Sequence, residues 1–256
     1  MVSKPFAIAF AFLFSGWPGL AQSDSALLNK TPVVPPLPAT RVLTQEERGD
    51  ILMARKMYRE AIEAFQSAPS SAVVYNKIGI AYHQLQQLDN ARKSYERALK
   101  VKRDYAEALN NIGTVYYAKK SYRRAISYYQ KALRLSPNSA SVYSNLGTAL
   151  FARKRYDDAT VAYQKALVLD PDVFEHRSNY GTMLEDRNVE ERAKFHYYLA
   201  KMYAKSGRNE MAMQYVRKAL EEGFKDKKKF EEDPEFQALR SLPEFKDLLT
   251  TEPRVL

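Results

Sequence analysis

Cysteine is absent from this chain of 256 residues. That excludes a disulfide framework, thiolate zinc sites, a cysteine nucleophile and lipid attachment through sulfur. Histidine is scarce: His83, His176 and His196 are the three present, and none stands at metal-ligand spacing from an Asp or another His. No Gly-rich phosphate loop and no nucleophile elbow occurs. Acidic pairs such as Asp157-Asp158 and Glu231-Glu232 read as solvated faces or helix N-terminal charges, because paired catalytic carboxylates need a pocket that shifts their pKa values. The expectation is a non-catalytic protein with no cofactor and no metal. Glycine is also rare, at nine residues, while Ala, Leu, Lys, Arg and Tyr are abundant. That balance, with 45% apolar residues, fits a folded helical protein and not a disordered one.

The N-terminus carries a distinct pattern. Lys4 precedes an uninterrupted apolar run from Phe6 to Phe14, Pro18 and Gly19 break it, and Gly19-Leu20-Ala21 sets small residues where a leader is cut, before Gln22. This is the layout of a secretory signal peptide over residues 1–21. The alternative, an uncleaved anchor, is disfavoured by length, since a membrane helix takes roughly 20 apolar residues. No later stretch is apolar enough to span a membrane. The expected location is periplasmic or secreted. Cleavage removes one lysine and no acid, lowering the formal charge from +10 to +9. A net positive chain favours acidic partners, anionic lipid or nucleic acid; the secreted address argues against nucleic acid. Residues 22–41 are polar and then proline-rich, with Pro32, Pro35, Pro36 and Pro38, and read as an extended linker or as a ligand for a proline-binding groove. Asn29-Lys30-Thr31 matches a glycosylation sequon, relevant only in a eukaryotic secretory pathway.

From about Leu43 a helical period takes over, and it repeats. Asn111-Ile-Gly-Thr114 returns as Asn145-Leu-Gly-Thr148 and as Asn179-Tyr-Gly-Thr182, and Tyr129-Gln-Lys-Ala-Leu133 returns as Tyr163-Gln-Lys-Ala-Leu167, always at the same interval. A fixed period of about 34 residues marks a repeat architecture whose unit is one supersecondary element. Each unit predicts two antiparallel helices; in the third, helix A runs from about Tyr105 to Lys119 and helix B from about Tyr122 to Leu135. Pro137 and Pro171 end the B helices. Gly79, Gly113 and Gly147 lie inside helix A, where glycine costs roughly 0.5–1 kcal/mol against alanine, which points to close helix approach. Ala91, Ala125 and Ala159 are expected to face them, with Tyr95, Tyr129 and Tyr163 filling the space between and Ala98, Ala132 and Ala166 as a second small column.

This small–aromatic–small pattern resembles the tetratricopeptide repeat family. The resemblance covers units at about 42–71, 72–105, 106–139 and 140–173, then an irregular stretch over 174–222. The unit at 72–105 has Arg103 where the family usually has proline. The first unit is short: Gly49, Ala61, Phe65 and Ala68 keep the spacing, and Pro69 truncates its second helix. After 173, Gly181, Ala193, Tyr197 and Ala200 fit one frame and Leu199, Ala200, Tyr203, Ala212 and Ala219 another, so the helix 189–205 closes one repeat or opens the next. Helices are expected near 174–186, 189–205 and 208–221. Residues 223–256 read as a cap, with Pro234 and Pro243 at helix starts and Phe236, Leu239, Phe245 and Leu248 covering the end of the stack, as a solenoid needs to stay soluble. The fold implied is all-α, a right-handed solenoid of antiparallel helix pairs with C-terminal capping helices.

In this family helix A lines the concave side, so the resemblance implies a groove that binds a protein or an extended peptide. Its expected residues are Asn76, Asn110 and Ser144 (with Ser178 next in the row), Asn111, Asn145 and Asn179, then Thr114, Thr148 and Thr182. Tyr117 and Phe151 stand in a further row with His83 and Glu185, as bare aromatic anchors. An amide offers one acceptor and two donors. The asparagine row is similar to the peptide-backbone ladder in the superhelical repeats of O-linked N-acetylglucosamine transferase, although asparagine before Leu-Gly is common across the family with different ligands. A second surface is a basic ridge at the A–B turns: Lys119, Lys120, Arg123 and Arg124, then Arg153, Lys154 and Arg155. It is either an ordinary solvated edge or a patch that holds the protein at an anionic lipid or cell-wall surface.

Overall fold

The structure, a computed structural model, describes residues 42–174 and 189–250. Twelve α-helices and no strand occur among them, all in the unit Leu43–Leu256. They form successive antiparallel pairs: α1 (Gln45–Ala54) with α2 (Tyr58–Gln66), α3 (Ala72–Gln84) with α4 (Leu88–Val101), α5 (Ala106–Ala118) with α6 (Tyr122–Leu135), and α7 (Ala140–Ala152) with α8 (Tyr156–Leu169). A fifth pair follows, α9 (Val189–Lys205) with α10 (Asn209–Glu221). The fold is an α-solenoid. The helix expected near 174–186, with Gly181, lies outside the described residues, as do the signal-peptide and linker segments and His176.

Local chemistry explains where the helices start and turn. Thr44 caps α1 in a reciprocal box: its Oγ1 accepts from the Glu47 N–H at 3.2 Å, and the Glu47 carboxylate accepts from the Thr44 N–H at 2.9 Å. Ser71 caps α3 by accepting from the Val74 N–H at 3.1 Å. Every A–B turn closes in the same way. One residue takes a left-handed conformation, namely Lys56, Gln86, Lys120, Lys154 or Gly207, with φ of 60°, 58°, 57°, 60° and 76°. The next N–H reaches back to helix A, as from Ser121 to the Tyr116 carbonyl at 2.8 Å and from Arg155 to the Leu150 carbonyl at 3.0 Å. This is the Schellman arrangement, usually served by glycine; here only the last turn uses one.

The glycine column has a different neighbour from the one expected. A Cβ at Gly113 would lie 2.5 Å from the Tyr129 ring, and one at Gly147 would lie 2.5 Å from the Tyr163 ring. Gly79 stands against Tyr95 and Gly49 against Phe65 in the same way. The close approach is therefore of the B-helix aromatic, laid across helix A; the alanines Ala91, Ala125 and Ala159 are buried beside it. The phenols find partners in helix A: Tyr129 donates to Thr114 Oγ1 at 3.3 Å and Tyr163 to Thr148 Oγ1 at 3.2 Å. In the last pair Ala200 and Val216 stand at the same separation in sequence, both fully buried. A larger residue on helix A is matched there by a smaller one on helix B.

Pairing with α10 makes α9 the opening helix of the last repeat. It also packs backward: Phe195 meets Phe151 at 5.5 Å and Tyr163 at 5.7 Å between ring centroids. The tail closes the far side. After α11 (Lys228–Glu232), two 3-10 turns (Pro234–Phe236 and Leu239–Ser241) and α12 (Pro243–Thr250) bury Phe230, Phe236, Leu239 and Phe245 in the same core as α9 and α10. Phe224 stacks on Tyr197 at 4.6 Å, and the Tyr197 phenol donates to the Asp233 carboxylate, which also takes the Lys201 ammonium at 3.0 Å. Burial alone would push Asp233 up, but these two donors hold its carboxyl below the usual range.

Candidate functional site

The A helices α3, α5 and α7 carry the expected groove residues, and most of these are not bare. Asn76, Asn110, Asn111, Thr114, Ser144, Asn145 and Thr148 are all buried. The amides bond one another along the stack. Asn111 Nδ2 donates to Asn76 Oδ1 at 3.0 Å, Asn145 Nδ2 donates to Asn110 Oδ1 at 3.0 Å, and Asn110 Nδ2 lies 3.4 Å from Asn111 Oδ1. Each inter-repeat bond links one asparagine row to the other across neighbouring repeats. The threonines turn inward: Thr114 and Thr148 donate to the carbonyls of Asn110 and Ser144, at 3.2 and 2.9 Å, and accept from the buried tyrosines. The expectation of three free polar rows is thus corrected. The rows are the polar seam between helices, since a buried amide left unbonded would be costly. Asn179, Thr182, Ser178 and Glu185 lie outside the described residues.

The aromatic row divides. Tyr117 is half-buried and packs on Tyr122, with ring centroids 5.3 Å apart. Phe151 is buried, 4% exposed, edge-on to Tyr156 at 5.1 Å, Phe195 at 5.5 Å and Tyr198 at 5.7 Å. It is a core residue, not a bare anchor, because α9 covers the end of α7 and brings Phe195 and Tyr198 over it. In the same row His83 is largely buried, its pKa is pushed down by that burial, and its Nε2 has no hydrogen-bond partner among the described residues.

What remains open on this side is a cleft of about 300 Å³ across three A helices. Asn76, Asn110 and Asn111 form its amide lining; Ile80, Ala106 and Val142 supply apolar wall; Glu107, Ser136, Ser139 and Ser141 line the rest. Glu107 and Ser141 are exposed and stand one repeat apart, so they mark equivalent places on α5 and α7. Sequence reasoning did not single out Glu107, Ser139 or Ser141; the same repeat step that aligned the asparagines would have found the Glu107–Ser141 row.

The basic residues do not form a continuous ridge. Lys119 is held by Asp89 of the preceding repeat at 2.6 Å, and Arg155 by Asp158 at 2.7 Å. Lys120, Arg123, Arg124 and Arg153 instead border one open depression at the α5–α6 turn, and Lys154 is an exposed turn residue outside its lining. Among the described residues no group of three or more His, Asp or Glu could hold a metal ion, and no helix is long and apolar enough to cross a membrane. His196 is half-buried at the α9–α10 contact, with its Nδ1 2.7 Å from a Glu222 carboxylate oxygen.

A family model described as Tetratricopeptide repeat matches residues 42–104, 70–138 and 104–172, and a second of the same description matches 193–222, the span of α9 and α10. No curated protein matches the chain. Among solved structures, a chain of the APC/C hetero-tetramer Cut9-Hcn1 is 19% identical with a TM-score of 0.50, over 80% of this chain and 35% of that one. A crystal structure of MamA is 22% identical with a TM-score of 0.47, over 69% of this chain and 95% of that one. A further MamA structure is 21% identical with a TM-score of 0.48, over 74% and 93%. At such identities the likeness is one of fold alone.

Proposed function

We propose that this chain, which belongs to the tetratricopeptide-repeat family, is a non-catalytic scaffold that holds an extended segment of a partner protein in the cleft across α3, α5 and α7. The observation that carries this reading is the cleft itself. It runs over successive repeats, has apolar wall beside amides, and its amides are already fixed by their bonds to one another. A ladder bond leaves an amide with donor capacity to spare. Side chains held in place beforehand lose little freedom on binding, which lowers the cost of association. Tyr117, half-buried on α5, is the remaining aromatic of the expected groove.

Ser141 gives the test. It is exposed on the cleft lining, so a tryptophan there fills the cleft without entering the core. Against an arrayed peptide library, the full chain should retain a set of extended peptides. Ser141→Trp should lose them while its helical content and melting stay unchanged. Retention of the same peptides by Ser141→Trp, or no retention by the natural chain, sinks the groove reading.

The proposed location is the bacterial periplasm or the secreted fraction. Its support is the sequence alone: the Phe6–Phe14 run and the small residues at Gly19-Leu20-Ala21. N-terminal sequencing of the protein from that fraction should begin near Gln22. An intact Met1 on exported protein refutes cleavage.

A further inference from the structure

Four cations meet at the α5–α6 turn with no carboxylate among them. Lys120 comes from the turn, Arg123 and Arg124 from the first turn of α6, and Arg153 from the next repeat. With Ser121 and Tyr122 they line an open depression of about 460 Å³. None of the four has an ion pair or side-chain hydrogen bond among the described residues; Arg124 lies over the Tyr116 ring, 5.5 Å from its centroid. The neighbouring cations Lys119 and Arg155 are taken by Asp89 and Asp158.

The other repeats show how unusual this is. Where α6 begins Tyr122-Arg123-Arg124, α8 begins Tyr156-Asp157-Asp158 at the equivalent place one repeat on, and α4 begins Leu88-Asp89-Asn90. The first turns of α2, α4, α8 and α10 each carry an acid, whereas that of α6 carries none. Acids suit the positive end of a helix and cations oppose it. Arg59 also opens α2, but beside Glu60; among these five helices α6 alone starts with cations and no acid, and it gathers charge that repels itself. Arg124 is offset in part by the Tyr116 ring, while Lys120, Arg123 and Arg153 have no ion pair among the described residues. A local rule broken with so little internal compensation points to a function outside the fold.

We propose that this depression is a binding site for a phosphomonoester-class oxyanion carried by a ligand. Guanidinium groups match such oxygens in forked pairs of charge-assisted bonds. Four cations suit a multiply charged phosphate better than a single carboxylate. The site stands apart from the α3–α5–α7 cleft and does not rest on the peptide reading.

Inorganic pyrophosphate is the first probe, titrated into the full chain at constant ionic strength set with sodium chloride. The variant is Arg123→Asp with Arg124→Asp, which installs the acid pair found at the start of α8. Pyrophosphate should raise the melting temperature of the natural chain above the chloride control. The variant should bind at least about tenfold more weakly, the loss expected when charge-assisted bonds are removed. Without ligand the variant should melt at the same temperature or higher, since it relieves repulsion and complements the helix; a structural role for the arginines would lower it. Sedimentation with phosphatidylcholine vesicles with and without phosphatidic acid separates the sources. Binding to the phosphatidic acid vesicles that pyrophosphate displaces assigns a lipid headgroup; pyrophosphate binding without vesicle binding assigns a soluble phosphorylated ligand. The proposal is overturned if neither probe binds beyond the chloride control, or if the variant binds both as well as the natural chain.

Discussion

Replacing Phe151 with alanine should lower the melting temperature by on the order of 10 °C. Truncating a buried phenylalanine typically costs about 3–5 kcal/mol, through lost burial and the cavity left behind. In a chain of this size each kcal/mol corresponds to roughly 2–4 °C. Phe151 meets three rings edge-on, those of Tyr156, Phe195 and Tyr198, and two of these belong to α9. The ring is therefore a joint between the fourth repeat and the last. Stacked repeats stabilise one another through such interfaces, so amide exchange should accelerate in α7 to α10 and change little in α1 to α4. Tyr117→Ala, at the equivalent place one repeat earlier, removes a half-buried ring that packs on Tyr122. Its effect on melting should be clearly smaller. Equal, small effects from both substitutions would mean that α9 does not cover Phe151, and would restore it as a surface residue of the groove.

The contrast between these two residues shows what the repeat period can and cannot convey. Within a unit the packing repeats, so the helix pairs, the glycine column and the inward tyrosines were legible from spacing alone. Helix α6 spans Tyr122–Leu135 as read, and α5 differs by a residue at each end. Burial at the end of helix A depends on what lies beyond the unit. Tyr117 is followed by another regular repeat, whereas Phe151 is followed by α9, a longer helix in shifted phase. The asparagines misled for a related reason: each was read down its own column, while the bonds cross from one column to the other, as from Asn111 to Asn76 and from Asn145 to Asn110. The basic ridge broke up because Asp89, on the preceding repeat, neutralises Lys119 across the repeat boundary. The left-handed turn residues gave no signal, since lysine and glutamine hold the position that glycine marks only at Gly207. The tail was legible in its apolar residues, because Phe236, Leu239 and Phe245 had no other surface to cover.

Gly147→Leu should destabilise the stack by about 2 kcal/mol or more. The first added carbon would stand 2.5 Å from the Tyr163 ring, closer than unbonded carbons come, and leucine adds three more. Tyr163 has no room to retreat. It is 1% exposed, its ring meets Phe174 at 5.4 Å and Phe195 at 5.7 Å, and its hydroxyl is tied to Thr148. Overpacking of a tight core typically costs ~1–3 kcal/mol, and a displaced Tyr163 also forfeits a buried hydrogen bond worth about 1 kcal/mol. The better helix propensity of leucine offsets about 1 kcal/mol of this. The last repeat supplies the rescue, because Ala200 there faces the position held by Val216. Gly147→Ala alone should lower the melting temperature, and adding Tyr163→Val should recover part of the loss, although Tyr163→Val alone opens a cavity and is itself destabilising. Such non-additivity is the mark of two side chains in contact. Simple addition of the two losses, or a Gly147→Leu chain that melts with the natural one, would show that the B-helix ring does not lie across helix A at this position.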